Sequence, residues 1–96
     1  MERKFTVSKY ECWWEDAASH PEWKSRIDAA KDPLSICFTE GYLIYRDKDR
    51  HIFVMSFTSE DVGDEIVIPT RNIKVLKKVG TKTFKPEDFD YGSYKN

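Results

Sequence analysis

The sequence contains few of the residues from which catalytic, metal and phosphate-loop sites are built. It has four glycines, two histidines and two cysteines, and it lacks the GxGxxG, P-loop, GxSxG, HExxH and CxxC patterns. Neither His20 nor His51 has a nucleophile at a spacing that indicates a catalytic triad. Acidic turns such as Glu15-Asp16 can chelate a cation, but such turns are far more often simply solvated. We therefore expect no enzyme, no metal site and no cofactor.

Long apolar runs and paired cysteines are also missing. Cys12 and Cys37 each lie inside a short apolar run, and no stretch is long enough to cross a bilayer or to act as a signal peptide. Isolated cysteines in such runs are typical of reduced thiols that pack as small hydrophobic side chains. The sequence therefore predicts a cytoplasmic protein without a membrane partner.

The charge is nearly balanced overall but unevenly distributed. The net charge is −1, which argues against a general binder of nucleic-acid polymers. Residues 70–85, however, contain six basic residues and no acidic one. This run is either the solvated face of a strand followed by a tail, or a local site for a phosphate-sized anion.

The length and the pattern of apolar residues predict one small β-rich domain at 1–80 and a polar, aromatic C-terminal tail at 81–96. Four to five short strands joined by tight turns predict a mainly β (α+β) fold, a small SH3-like or Sm-like curled antiparallel sheet. Gly41 interrupts the second strand, where we expect a bulge or a sharp bend. The strand at His51–Thr58 is apolar on both faces, which predicts a central or covered strand.

One short helix is predicted after the first strand. Ser19 is a good N-cap, and the helix is expected to continue to about Lys31 and to end before Pro33. Trp23, Ile27 and Ala30 fall on one face of that helix. We expect this helix to plug one end of the sheet or to pack across one side, with Trp23 as the anchor.

Five residues are candidates for a binding site. Trp13 and Trp14 cannot both face one core in a strand, because side chains alternate, so one of them points toward the helix, a subunit interface or a ligand. Trp23 is an alternative stacking surface. Arg71 and Asn72 follow Pro69 at a tight turn and combine guanidinium and amide donors, which suit a phosphate or a base edge but also occur in ordinary polar turns.

The order of several short motifs resembles a known group of proteins. The motifs are WW-x-D-A-A-S-x-x-x-W (13–23), T-x-G-Y-L (39–43), V-G-D-x-x-x-I-P (62–69) and I-K (73–74). This order is similar to that of a widespread family of small phage and prophage proteins, and the likeness covers residues 10–79. The chain differs in carrying Glu22 where the family usually has a glycine, and in having an additional C-terminal tail.

Within that family the chain resembles the phage anti-CBASS sponges, which sequester cyclic dinucleotide signals of bacterial immunity. The resemblance implies a homo-oligomer, a dimer or a tetramer, that holds 3′3′-cGAMP-like ligands near subunit interfaces without cleaving them. Aromatic stacking and cationic donors are what such a ligand requires, and Trp13, Trp14, Trp23, Arg71 and Asn72 would supply them.

Two alternatives stay open at the level of sequence. The first is a protein-interaction module that inhibits a host protein through an edge strand or an aromatic patch. The second is an Sm-like RNA binder, which the net charge disfavours. Self-association is expected in any case, because the paired tryptophans, the two-sided strand and the aromatic tail expose more apolar surface than a small monomer normally tolerates.

Overall fold

A computed structural model of the chain describes residues 3–94 and shows a single open sheet of five strands. The strands are β1 (Phe5–Asp16), β2 (Ser35–Arg46), β3 (Arg50–Phe57), β4 (Val62–Pro69) and β5 (Ile73–Phe84). One short helix, α1 (Arg26–Ala29), lies between β1 and β2, and 3₁₀ turns occupy Thr70–Asn72, Pro86–Phe89 and Tyr91–Tyr94. The predicted ranges 1–80 and 81–96 include residues 1–2 and 95–96, which lie outside the described part.

The strands follow the order β4-β3-β2-β1-β5, and every neighbouring pair is antiparallel. The first strand therefore lies between the second and the last, while β4 and β5 form the two edges. The sheet does not close into a barrel. This arrangement confirms the predicted small, mainly β fold with a curled antiparallel sheet and one short helix after the first strand.

The core lies on one face of this sheet. Cys12, Phe53 and Ile68 are almost completely buried there. Several partly buried side chains surround them: Tyr10, Trp14, Leu43, Ile66, Ile73 and Leu76. Phe53 and its neighbour Val54 point to opposite faces of β3, yet each is only 1% exposed. The prediction that this strand is apolar and covered on both faces is therefore confirmed at its centre.

An aromatic cluster joins the C-terminal part of the chain to the sheet. Phe5 stacks on Phe84 at 5.7 Å between ring centroids and on Phe89 at 6.0 Å, and Phe57 meets Phe84 edge-on at 5.2 Å. Strand β5 continues through Gly80 to Phe84, paired with β1 over this whole length. Strand β5 therefore extends four residues beyond residue 80, where the sequence analysis ended the domain, and Phe84 and Phe89 pack with Phe5.

Gly41 is required for close packing between strands. A Cβ at this position would lie 3.1 Å from the carbonyl oxygen of Val54, which is backbone and has little freedom to move. The predicted bulge at Gly41 is wrong, since β1 pairs through Gly41 without interruption and the register shift in β2 occurs at Ile44. Glycine marks a close approach of two backbones here.

The predicted helix is the main difference between expectation and structure. It forms only four residues, its N-cap is Ser25 rather than Ser19, and none of its residues is buried. Trp23 is 100% exposed and Ile27 is 73% exposed, so the helix neither plugs the sheet nor anchors to it. An isolated helix this short is unstable without tertiary packing, which explains why the periodic pattern did not produce a longer one.

The molecule is elongated for its length. Its radius of gyration is 18.7 Å and its principal extents are 64 × 28 × 20 Å. A compact chain of this size has a radius of gyration of about 12.5 Å. Many apolar side chains therefore lie outside the core and are exposed, among them Trp23, Ile36 and Met55.

Candidate functional site

The two adjacent tryptophans lie on opposite faces of β1, as their alternation predicted. Trp14 packs against the core, and its indole Nε1 donates a hydrogen bond to Thr39 Oγ1 at 3.0 Å. Trp13 lies on the other face and contacts Phe38 edge-on, at 4.8 Å between ring centroids. Of the pair, Trp13 is therefore the residue that points away from the main core.

Arg71 and Asn72 lie beside the end of β1 that carries Trp14. Trp14 pairs with Ile73, and the Asn72 side-chain amide donates to the backbone carbonyl of Glu15 at 3.0 Å. Arg71, Asn72 and Trp14 thus share one end of the sheet. Trp13 is on the opposite face, and Trp23 is on the exposed segment 17–34, so one copy of the chain does not gather the five predicted residues into one pocket.

The 3₁₀ turn Thr70–Asn72 is held at several points. The Thr70 backbone N–H donates to Asp49 O at 3.0 Å, and its hydroxyl donates to Asp47 O at 3.1 Å. The same hydroxyl lies 2.9 Å from His51 Nδ1 and, having donated its proton to Asp47 O, accepts from that nitrogen. Asn72 fixes the other end of the turn. Arg71 is therefore an exposed side chain on a rigid backbone support.

These hydrogen bonds bring the turn against the loop between β2 and β3, and we call this end of the sheet the basic corner. Its basic residues are Arg46, Lys48, Arg50 and Arg71, with Arg46 and Arg50 on opposite faces of the sheet because Arg46 pairs with His51, the residue after Arg50. Within residues 3–94, Arg50 is the only one of these four residues that forms an ion pair. Its guanidinium lies 3.8 Å from the Asp47 carboxylate and 5.4 Å from the centre of the Tyr45 ring. The corner therefore presents three further cations, those of Arg46, Lys48 and Arg71.

Carboxylates at the corner offset these cations only in part. The Asp47 carboxylate accepts from the backbone N–H groups of Asp49 and Arg50 and from the Tyr45 hydroxyl. These hydrogen bonds lower the pKa of Asp47 and raise the pKa of Tyr45. Because Asp47 is committed to holding the loop, it is a weak competitor for a bound anion.

His51 lies beneath the corner and is mostly buried. Burial, with a smaller contribution from the charge of Arg46, lowers the pKa of His51, although Asp47 opposes the shift. Its ring also stacks on Phe53, with 6.3 Å between centroids. His51 is buried, although it follows a charged loop, because it shares the core-facing side of β3 with Phe53.

A second surface, which we call the outer patch, lies on the face of the sheet that carries Trp13. Phe38 and Val75 are directly opposite Trp13 on the two neighbouring strands, and Ile36 is two residues before Phe38. Ile36, Phe38 and Val75 are each more than half exposed. The alternating apolar residues of β2 and β5 predict an apolar face on each strand. Only the register of the sheet shows that Trp13, Phe38, Val75 and Ile36 lie next to one another.

The basic run at 70–85 mostly forms the exposed edge strand β5. Lys78 lies 5.9 Å from the Tyr10 ring and Lys82 lies 5.2 Å from the Phe84 ring. Lysines along an edge also discourage pairing with other strands. Of the two interpretations of this run, a solvated strand accounts for its lysines, and Arg71 alone belongs to the basic corner.

Across residues 3–94 there is no group of three or more histidine, cysteine or acidic side chains that could hold a metal ion. The thiol of Cys12 is buried and its pKa is raised by desolvation, so it is protonated and unreactive at neutral pH. No helix in the same part of the chain is long and apolar enough to span a membrane.

Comparisons with known proteins found no relative of this chain. No family model, curated protein or solved structure matches this chain.

Proposed function

We propose that this protein acts by binding a nucleotide-sized anion without altering it, and that the basic corner receives the phosphate. The observation that carries the proposal is the rigid support of Arg71. Because the backbone of the turn is already fixed, it does not have to be ordered when the ligand binds, and the donors of the guanidinium match two phosphate oxygens at once.

The proposed ligand class is a cyclic dinucleotide, which is the ligand implied by the likeness to the anti-CBASS sponges. Such a ligand has two phosphates and two aromatic bases, so it needs cations and stacking surfaces in alternation. The basic corner supplies cations, while a fully exposed ring at Trp23 and a partly exposed ring at Trp13 lie elsewhere on the same chain. A complete site would therefore combine surfaces of two copies, in keeping with the proposed homo-oligomer.

Thermal unfolding with a panel of ligands tests this proposal. The panel should contain 3′3′-linked cyclic dinucleotides, the corresponding linear dinucleotides and a mononucleotide. A ligand at one hundred times its Kd stabilises the folded state by about 2.7 kcal/mol, which raises the Tm of a domain of this size by on the order of 10 °C. We expect that shift with a cyclic dinucleotide, and recovery of the ligand chemically intact after heating. No shift with any cyclic dinucleotide at millimolar concentration would reject the proposal.

The second candidate function is a protein-interaction module that inhibits another protein. The observation that favours it is the outer patch, where Ile36, Phe38 and Val75 leave a contiguous apolar surface exposed on a folded sheet. Apolar patches of this kind mark protein-binding surfaces more often than sites for anions. The two candidates differ in their need for Arg71, since Arg71→Ala should weaken anion binding and leave the binding of a protein partner at the outer patch unchanged.

A further inference from the structure

Between β1 and β2 the chain makes an excursion, segment 17–34, in which all eighteen residues are exposed. The apolar side chains on it include Trp23, Ile27 and Leu34, which are 100%, 73% and 56% exposed. The segment nevertheless has internal order. Ser25 caps the helix by accepting from the Asp28 N–H at 3.1 Å, and Lys24 forms an ion pair with Asp32 at 2.9 Å. It is therefore an ordered projection whose apolar side chains have no cover within one copy.

The outer patch lies close to the base of this projection. Asp16 and Ser35 are paired where the segment leaves and re-enters the sheet, and Trp13 and Phe38 are paired three positions further in. The projection does not fold back on the patch of its own copy, because Trp23 is fully exposed while Ile36 and Phe38 are 61% and 52% exposed. Two unpaired apolar surfaces thus lie side by side on the same chain.

We infer that a second copy of this chain covers both surfaces, with the Trp23 projection of each copy seated on the outer patch of the other. A two-fold axis makes this contact twice, since the same chain carries both halves of it. The inference concerns the assembly and stands whether or not the ligand is a cyclic dinucleotide.

The area agrees with a dimer. The exposed apolar side chains of the projection and the patch together present on the order of 700 Å², since a large side chain buries about 150–250 Å² when fully covered. A stable interface of standard size buries about 800 Å² on each partner. A fully exposed tryptophan beside an aromatic pair is also the kind of anchor that dominates interface energies.

The charges allow the same contact. Beside the patch, Lys9–Glu40 and Lys74–Glu15 form ion pairs, and Glu11 of β1 is paired with Lys77 of β5. The projection carries three basic and three acidic residues, namely Lys24, Arg26, Lys31, Glu22, Asp28 and Asp32. Neither surface has a net charge, so two copies approach one another without repulsion between like charges.

The test uses two variants that break opposite halves of the contact. Trp23→Asp removes the projection's anchor, and Phe38→Asp places a charge in the patch. Both side chains are at least half exposed, so circular dichroism should show both variants folded. In light scattering at about 50 µM, we expect the wild type to be a dimer of the 11.3 kDa chain and each variant alone to be a monomer.

Mixing the two variants then gives the decisive result. A mixed dimer retains one intact contact, Trp23 of one copy on the patch of the other, so we expect the mixture to recover dimer that neither variant forms alone. Tyr91→Asp is the control, since Tyr91 is 80% exposed and follows the turn that packs on Phe5, at the opposite end of β1 from Trp13. It should dimerise like the wild type.

Three results would overturn the inference: a monomeric wild type, variants that dimerise as the wild type does, or a mixture that stays monomeric. The last result would mean that Trp23 does not bind the outer patch of a second copy. Light scattering of the wild type without ligand tests the dimer, and ligand binding by the wild type and Arg71→Ala tests the proposed function, so failure of one proposal can be told from failure of the other.

Discussion

The side-chain amide of Asn72 donates a hydrogen bond to the backbone carbonyl of Glu15, 57 positions earlier in the chain, at 3.0 Å. This contact joins the turn that carries Arg71 to the end of β1. Together with the bonds of Thr70 to the loop between β2 and β3, it fixes the turn from both sides. The position of Arg71 therefore depends on contacts made by its two neighbours.

The first prediction is that Asn72→Asp destabilises the protein while Arg71→Ala does not. The aspartate cannot donate and places a carboxylate against the Glu15 carbonyl, so we expect a loss of about 1–3 kcal/mol in the free energy of unfolding. An exposed residue such as Arg71 should contribute no more than about 0.5 kcal/mol. Urea denaturation measures both, and equal stability of the two variants would show that the Asn72 contact does not hold the turn.

The second prediction concerns pH and His51. Its folded-state pKa lies below the ordinary 6.5 because burial disfavours the charged ring. The unfolded chain therefore binds more protons in this range, and stability should be full above about pH 6.5 and decline as the pH falls toward the folded-state pKa. The groups that face the ring are Arg46, which adds to the shift, Asp47, which opposes it, and Thr70, which accepts from Nδ1.

The measurement is the Tm of wild type and His51→Gln between about pH 7.5 and pH 5.5, where an ordinary histidine changes its charge. The wild type should lose stability over this interval more steeply than the variant. The difference between the two curves isolates His51 from other groups that titrate. Parallel curves would contradict the prediction.

The third prediction compares two glycines in the strands on either side of β1. At Gly41 a Cβ would approach the Val54 carbonyl oxygen to 3.1 Å, whereas at Gly80 a Cβ would meet nothing within 4 Å. We expect Gly41→Ala to cost about 1–3 kcal/mol, as overpacking in a core usually does. Gly80→Ala should be neutral or slightly stabilising, because alanine restricts the unfolded chain. Denaturation of the two variants under the same conditions would show the difference, and a tolerated alanine at position 41 would rule out the close approach.

The fourth prediction concerns the C-terminal region. Phe89 packs on Phe5 and Phe84, with ring centroids 6.0 and 5.7 Å apart, and contributes to the cluster that closes this end of the sheet. Phe89→Ala should therefore lower stability by at least 1 kcal/mol, since aromatic pairs contribute about 0.5–1.5 kcal/mol each beyond their burial. Tyr91→Ala, at an exposed neighbouring position, is the matched control. An unchanged Tm for Phe89→Ala would mean that the region after β5 does not stabilise the domain.

The sheet was predictable from the sequence because each strand carries its own signal. The apolar runs of β2 and β3 are signals within each strand, and the alternation that separates Trp13 from Trp14 depends only on two adjacent residues. The helix was not predictable, since the pattern of Trp23, Ile27 and Ala30 indicates an apolar face but cannot say that this face has nothing to pack on within one chain. A helical pattern of apolar residues shows which face of a helix could be buried, but packing against another element determines how many residues form the helix.

The basic corner illustrates a second limit of prediction from the sequence. Arg71 was predicted from its turn, whereas no sequence pattern placed Arg46, Lys48 and Arg50 near that turn. The bonds from Thr70 to Asp47 and Asp49, which span more than twenty residues, bring the turn against the end of β2 and the start of β3. Such contacts follow from strand order and register, for which a single sequence carries no direct signal.

The central claim is that Arg71 on its fixed turn binds the phosphate of a nucleotide-like ligand. Isothermal titration calorimetry with a 3′3′-linked cyclic dinucleotide tests it most directly, using wild type, Arg71→Ala, Arg71→Lys and the control Lys82→Ala. Lys82 is a cation on the same basic run but belongs to the edge strand β5. A charged hydrogen bond contributes about 1.5–3 kcal/mol, so Arg71→Ala should weaken binding by roughly tenfold to 150-fold. Arg71→Lys should recover only part of that loss, and Lys82→Ala should bind as the wild type does. A folded Arg71→Ala protein that binds the dinucleotide with unchanged affinity would contradict the claim.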